Sequence, residues 1–173
     1  MKEENYYTYK NLTCCFTGHR VIPKAQFENV EKRLDHMIDE MYNDGYRIFL
    51  SGGAIGFDTL AALCVIRKRL VYNDIKLHLI LPCGDQDEKW DFKNKAVYNR
   101  IKAAADDVYV MSEKYIDGCM FLRNDELIKR SSACIAFYNG VKGGGTRYTF
   151  SRCMENGYKV LNTYLESDSK GKR

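Results

Sequence analysis

Short apolar runs and longer amphipathic segments alternate along this chain from end to end. Thr13 to Thr17 is a β-type run, and Pro23 opens a segment in which Phe27, Val30, Leu34, Ile38 and Met41 fall on one helical face until Gly45 stops it. Tyr46 to Leu50 is a second strand, followed by a helix carrying Leu60, Leu63, Cys64 and Ile66 that closes in Arg67-Lys68-Arg69. Cations suit that C-terminal end. Leu77 to Leu81 is a third strand, a helix with Trp90, Val97 and Ile101 comes next, and Asp85-Gln86-Asp87-Glu88 reads as its start. Val108 to Met111, Ala133 to Tyr138 and Lys159 to Thr163 are further strands. Helices around Leu122 to Lys129 and from about Thr146 to Asn156 separate them, the latter stopped by Gly157.

Strands alternating with helices in this way predict right-handed crossovers and a mostly parallel sheet covered on both faces, a doubly wound Rossmann-like α/β fold. At 173 residues the chain suits one domain, placed at 11–166, with residues 1–10 and 167–173 expected to fray. The chain has only two prolines, and its sequence shows no internal repeat and no low-complexity tract.

Ligands in such sheets sit beyond the carboxyl ends of the strands. Three glycine-bearing turns fall at those ends: Gly18-His19-Arg20, Ser51-Gly52-Gly53-Ala54-Ile55-Gly56-Phe57-Asp58, and Gly143-Gly144-Gly145-Thr146. Glycine lets a backbone approach a bound group, and the helix that follows aims free N–H groups at it. One such turn has a purely steric explanation; three in one short chain predict a composite anion pocket. Arg20 and Arg123 offer the forked geometry that matches phosphate, although Arg123 could instead pair with Asp125 or Glu126 on its own helix. Asp58 either complements a helix dipole or accepts from a ribose hydroxyl. His19 caps or packs, Asn124 reads a sugar or ties down a loop, and Thr146 and Thr149 place hydroxyls in the first turn of the last helix.

Charge and cysteines narrow the classes. The formal net charge is +4, of which Asp168, Lys170, Lys172 and Arg173 supply +2, so the body carries little excess and nucleic acid is not an expected partner. The seven cysteines form no CxxC pair, and Cys14, Cys15 and Cys134 lie in strand patterns while Cys64 and Cys153 lie on helices. They read as buried free thiols of a cytoplasmic protein, and neither they nor the three histidines suggest a metal site. No apolar run reaches the ~20 residues of a membrane span. No cofactor is required by anything in the pattern.

The Ser51-to-Asp58 turn, the Phe121-Leu122-Arg123-Asn124 run with Leu127-Ile128, and Gly144-Gly145-Thr146 with Thr149 together resemble the Smf/DprA–LOG superfamily, also called SLOG. Thr17-Gly18-His19-Arg20 and Leu81-Pro82 are most similar to its small, single-domain YpsA-like branch. The resemblance spans about Thr13 to Thr163 and implies a Rossmann-like fold that binds a nucleotide or nucleotide-derived ligand, as a sensor or sequestering protein, with a homo-oligomer as an expectation. It implies the ligand-binding set Gly18, His19, Arg20, Ser51, Gly52, Gly53, Gly56, Asp58, Arg123, Asn124, Gly143, Gly144, Gly145, Thr146 and Thr149.

Other members cleave nucleotide N-glycosidic bonds or process DNA, and these are the alternative functions. The hydrolases carry a PGGxGTxxE run with a catalytic glutamate, whose position here is Thr149, and no proline precedes the glycines. No catalytic residue is therefore assigned. The DNA-processing members usually carry an arginine where this chain has Ile55, together with accessory domains.

Overall fold

The computed structural model describes residues 9–170. A single 3-10 turn, Lys10–Leu12, leads into six strands and six α-helices in alternation. The strands are β1 (Thr13–Gly18), β2 (Ile48–Ser51), β3 (Lys76–Leu81), β4 (Asp107–Val110), β5 (Ala133–Phe137) and β6 (Lys159–Asn162). The helices are α1 (Lys24–Asn43), α2 (Phe57–Lys68), α3 (Phe92–Ala104), α4 (Cys119–Lys129), α5 (Gly144–Glu155) and the short α6 (Glu166–Ser169). The sheet runs β4-β3-β2-β1-β5-β6 and every pairing is parallel. The doubly wound Rossmann-like fold is thus present. Its strand order reverses between β1 and β5, which opens a crevice at their carboxyl ends.

Strand period 2 sorts the core between the two faces of the sheet. Cys14 and Phe16 of β1, with Ile135 and Phe137 of β5, pack with Val30, Leu34, Ile38 and Met41 of α1 and with Phe57, Leu60 and Val65 of α2. Their neighbours Cys15, Cys134 and Ala136 face the other way, towards Leu127 and Ile128 of α4 and Cys153 of α5. α1 forms because its apolar residues recur every three or four positions, and it ends because Gly45 takes φ +100°. Phe27 is 43% exposed, and Gln26 takes the buried position instead.

Three boundaries differ from the pattern. The carboxylates at 85–88 lie in turns rather than in a helix, and α3 starts at Phe92 because Asp91 caps it, its side chain accepting from the Asn94 N–H at 2.9 Å. Trp90 therefore precedes the helix. α5 begins at Gly144, two residues before Thr146, so the glycines are its first turn. Residues 166–169, placed partly in a frayed tail, form α6, and Asp168 pairs with Arg33 of α1 while Asn29 donates to its other oxygen at 3.3 Å. Residues 1–8 and 171–173 of the expected frayed ends lie outside the described residues.

Candidate functional site

The crevice between β1 and β5 holds a cavity of about 490 Å³. β1 delivers Gly18, His19 and Arg20 to one side, the loop after β5 delivers Val141, Lys142 and Gly143 to the other, and α4 forms a wall with Phe121, Arg123, Asn124 and Leu127. The opening turns of three helices meet there: Asp58 from α2, Met120 and Phe121 from α4, and Gly144, Gly145 and Thr146 from α5. Each helix brings the positive end of its dipole, and α5 has no side chain capping its free N–H groups. Arg20 and Lys142, both exposed, have no carboxylate within ion-pair distance among the described residues. The cavity therefore offers unneutralised positive charge and open backbone donors to an anion.

Ten of the fifteen proposed ligand-binding residues line this cavity: Gly18, His19, Arg20, Asp58, Arg123, Asn124, Gly143, Gly144, Gly145 and Thr146. Ser51, Gly52, Gly53, Gly56 and Thr149 do not. Of the turn after β2, Ala54 alone reaches the lining, and the rest is a scaffold beneath the cavity. Ser51 is fully buried; its Oγ donates to the Asp58 carbonyl and accepts from the Gly53 N–H, both at 3.2 Å. Gly52 lies under the Arg123 guanidinium, where a Cβ would overlap Nη1. Gly56, at φ +83°, lies against the Arg20 backbone, and the next N–H, of Phe57, donates to the His19 carbonyl at 3.1 Å. That contact joins the first glycine turn to the second.

Arg123 sits at the centre of this construction. Its side chain is buried, with Nη1 donating to the Gly52 carbonyl and Nε to Asn124 Oδ1 at 2.9 Å, which leaves Nη2 without a hydrogen-bond partner among the described residues. The ion pair with Asp125 or Glu126 does not form: Glu126 pairs with Arg130, and Asp125 accepts from the Tyr148 hydroxyl. Arg123 thus braces the middle turn and lines the cavity at once. Burial lowers its pKa from the ordinary arginine value, and Asp58 opposes that change. Burial raises the Asp58 carboxyl above its ordinary value, countered by the Arg123 charge and by the Ala54 N–H, which donates to Oδ2 at 3.2 Å. The two buried ionisable groups compensate each other across the cavity floor.

His19 packs at the edge of the cavity. Its Nε2 accepts from the Asn139 N–H at 3.2 Å, its ring lies against Phe137 and Tyr138, and burial lowers its pKa. Thr149, fully buried on α5, has an Oγ1 with no partner among the described residues. Replacing a hydroxyl of that kind with a methyl group removes a desolvation cost of about 1–3 kcal/mol. Thr149→Val should accordingly unfold at the same temperature as the parent or higher, and should bind ligand as the parent does. A calorimetric scan and a binding titration check both, and lost binding would return Thr149 to the site.

Sequence reasoning missed Lys142, Val141 and Met120 as lining residues, and quoted Phe121 only as part of a motif. Lys142 had a signal, a cation directly before the glycine triplet. The thiols of Cys15, Cys134 and Cys153 also converge, their sulfurs all within 4.8 Å where β1, β5 and α5 pack. Chain spacing gave no hint of it. All seven cysteines are free and buried, as expected.

A family model for YpsA, described as the YspA SLOG family, matches residues 14–165. The chain belongs to the YspA SLOG family. UPF0398 proteins of Bacillus cereus strain G9842 and Bacillus thuringiensis strain Al Hakam are each 27% identical to it over 150 residues, covering 82% of both chains. Among solved structures, DNA processing protein A (DprA) of Streptococcus pneumoniae superposes with a TM-score of 0.65 at 21% identity, over 96% of this chain and 56% of that one. DNA processing protein A of Helicobacter pylori, whose structure describes a single-stranded DNA binding mode, superposes at 0.61 with 17% identity, over 92% of this chain and 68% of that one. This chain therefore spans little more than half of the Streptococcus protein.

The exclusion of nucleic acid as a partner does not stand. It rested on net charge and on Ile55, and a protein of the same fold is described with a single-stranded DNA binding mode. Phosphate contacts depend on where cations stand, not on their sum. On the α1–α2 side, Arg67 pairs with Glu31 and Asp35, Lys68 with Asp35 and Asp39, and Arg69 with Asp106. Around the cavity, Arg20 and Lys142 have no ion-pair partner among the described residues, so a modest total conceals a local excess. Among the described residues no helix is long and apolar enough to cross a membrane.

Proposed function

We propose that the β1–β5 cavity binds a nucleotide through its phosphate groups and that the protein works as a nucleotide-binding protein rather than a hydrolase. The observation that carries this reading is the meeting of three helix N-terminal turns with Arg20, Arg123 and Lys142 in one cavity. Its volume of about 490 Å³ falls inside the range of about 300–1,000 Å³ usual for small-ligand sites. In this reading the N–H groups of Gly144 to Thr146 and the Arg20 and Lys142 side chains hold phosphate. Asn124 reads the sugar or base from the wall, and the half-exposed Phe121 ring at the rim offers a stacking face. Cleaving an N-glycosidic bond calls for a group that protonates the leaving base or activates water. Thr149, at the position of the hydrolases' glutamate, is buried outside the cavity and supplies neither.

A second reading, in which the nucleotide is a unit of single-stranded DNA, is favoured by the fold shared with the Helicobacter protein. The first experiment addresses both. A nucleotide at ~100 times its dissociation constant should add about 2.7 kcal/mol, a rise of roughly 5–11 °C in unfolding temperature for a domain of this size. Mono-, di- and cyclic nucleotides and ADP-ribose are screened by thermal shift, and chromatography then follows their fate. No shift at millimolar concentration would remove the phosphate site, and release of free base would replace the binder with a hydrolase.

A further inference from the structure

Two more grooves continue from the cavity along α5. The first, about 390 Å³, shares Phe121, Gly143 and Gly144 with it and runs over Arg147, Tyr148, Ser151 and Arg152. The second, about 260 Å³, shares Tyr148 and Arg152 with the first and ends at Lys10, Lys129 and Tyr158. Residues 144, 147, 148, 151, 152 and 155 form one continuous helical face, because neighbours three and four apart lie above one another. α5 has 12 residues and is therefore about 18 Å long, which sets the length of the first part of the track.

We propose that this face of α5 is a track for a single-stranded polynucleotide whose anchoring nucleotide occupies the β1–β5 cavity. The inference rests on the phosphate reading of that cavity. Charge complementarity carries it: Arg147 and Lys129 have no carboxylate within ion-pair distance among the described residues, and Arg152 has only an exposed, long contact of 3.7 Å with Glu155. The carboxylates along the track, Asp125 and Glu155, are fewer than its cations. Phe121 and Tyr148 meet edge to face at 5.4 Å between ring centres at the joint between cavity and track, and Lys10 stands over the Tyr158 ring at 5.6 Å at the far end. Cations that follow a backbone, interleaved with aromatic faces on which bases stack, are what a single strand requires whatever its sequence.

The test compares AMP with labelled oligonucleotides of 4 and 12 units, as oligo-dT and as oligo-U, on the full chain. The 12-mers should bind at least about tenfold more tightly than the 4-mers, and the preferred sugar names the strand as DNA or RNA. In Arg147→Glu/Arg152→Glu, 12-mer affinity should fall about tenfold or more while the AMP-induced thermal shift is retained. The salt slope of log K should become shallower by about 1.4, two phosphate contacts at roughly 0.7 each. Lys129→Glu, alone at the far end, should weaken the 12-mer and leave the 4-mer unchanged. If AMP binds but length brings no gain, or if both charge reversals bind 12-mers as the parent does, the track is wrong and the cavity reading stands. If neither AMP nor any oligonucleotide binds, both fall together.

Discussion

Arg123→Ala is expected to destabilise the protein by about 3–5 kcal/mol and to abolish nucleotide binding in whatever remains folded. A surface arginine would cost far less. The difference lies in what the side chain leaves behind: a buried Gly52 carbonyl with only the Gln86 amide, at 3.4 Å, still donating to it, an Asn124 amide free to turn, and the Asp58 carboxyl without the largest influence that favours its charge. Asp58 would then hold its proton more strongly, since burial already raises its pKa. At roughly 2–4 °C per kcal/mol, the unfolding temperature should drop by about 6–20 °C. Adding Asp58→Asn separates the causes, because removing the carboxyl should recover part of the loss if charge compensation is what Arg123 supplies. An Arg123→Ala protein that melts like the parent would show that the bonds to Gly52 and Asn124 carry no stability and would leave Arg123 as a ligand contact alone.

That Arg123 acts as a brace was not legible in the chain. Its partner carbonyl is 71 residues away, and the helix on which it lies contains acidic residues that offered nearer partners. The fold was legible, because buried parallel strands write continuous apolar runs and covering helices write a 3.6-residue period, and both are properties of local sequence. The outer glycine turns line one cavity, since each follows a strand that ends beside the crevice where the order reverses. The middle turn carries its glycines for a different reason: Arg123 packs on Gly52, Leu81 on Gly53 and the Arg20 backbone on Gly56. Sequence writes these two uses alike. Net charge misled for a related reason, because a sum over the chain counts Arg67 and Lys68, which are neutralised on the far side, equally with Lys142 and Arg147, which are not.

Gly56→Ala is the second large effect, and it separates the scaffold turn from the lining turn. Gly56 holds φ +83° and ψ −122°, a conformation that residues with a Cβ rarely adopt, and its Cβ would be driven into the Arg20 carbonyl group. Backbone does not move aside as a flexible side chain does. Strain of about 1–3 kcal/mol and overpacking of about 1–3 kcal/mol together predict a loss of about 2–6 kcal/mol, and the displaced Arg20 should weaken nucleotide binding as well. Gly144→Ala is the control. Gly144 also has positive φ, at +82°, but nothing lies within 4 Å of a Cβ there, so it keeps only the strain, about 1–2 kcal/mol. Its alanine methyl group would project beside the N–H groups assigned to phosphate, so binding should suffer more than stability. Thermal unfolding and nucleotide titration of both variants make the comparison. Gly56→Ala should lose chiefly stability, Gly144→Ala chiefly affinity, and the reverse order would mean that the turn after β2, not the one before α5, holds the phosphate.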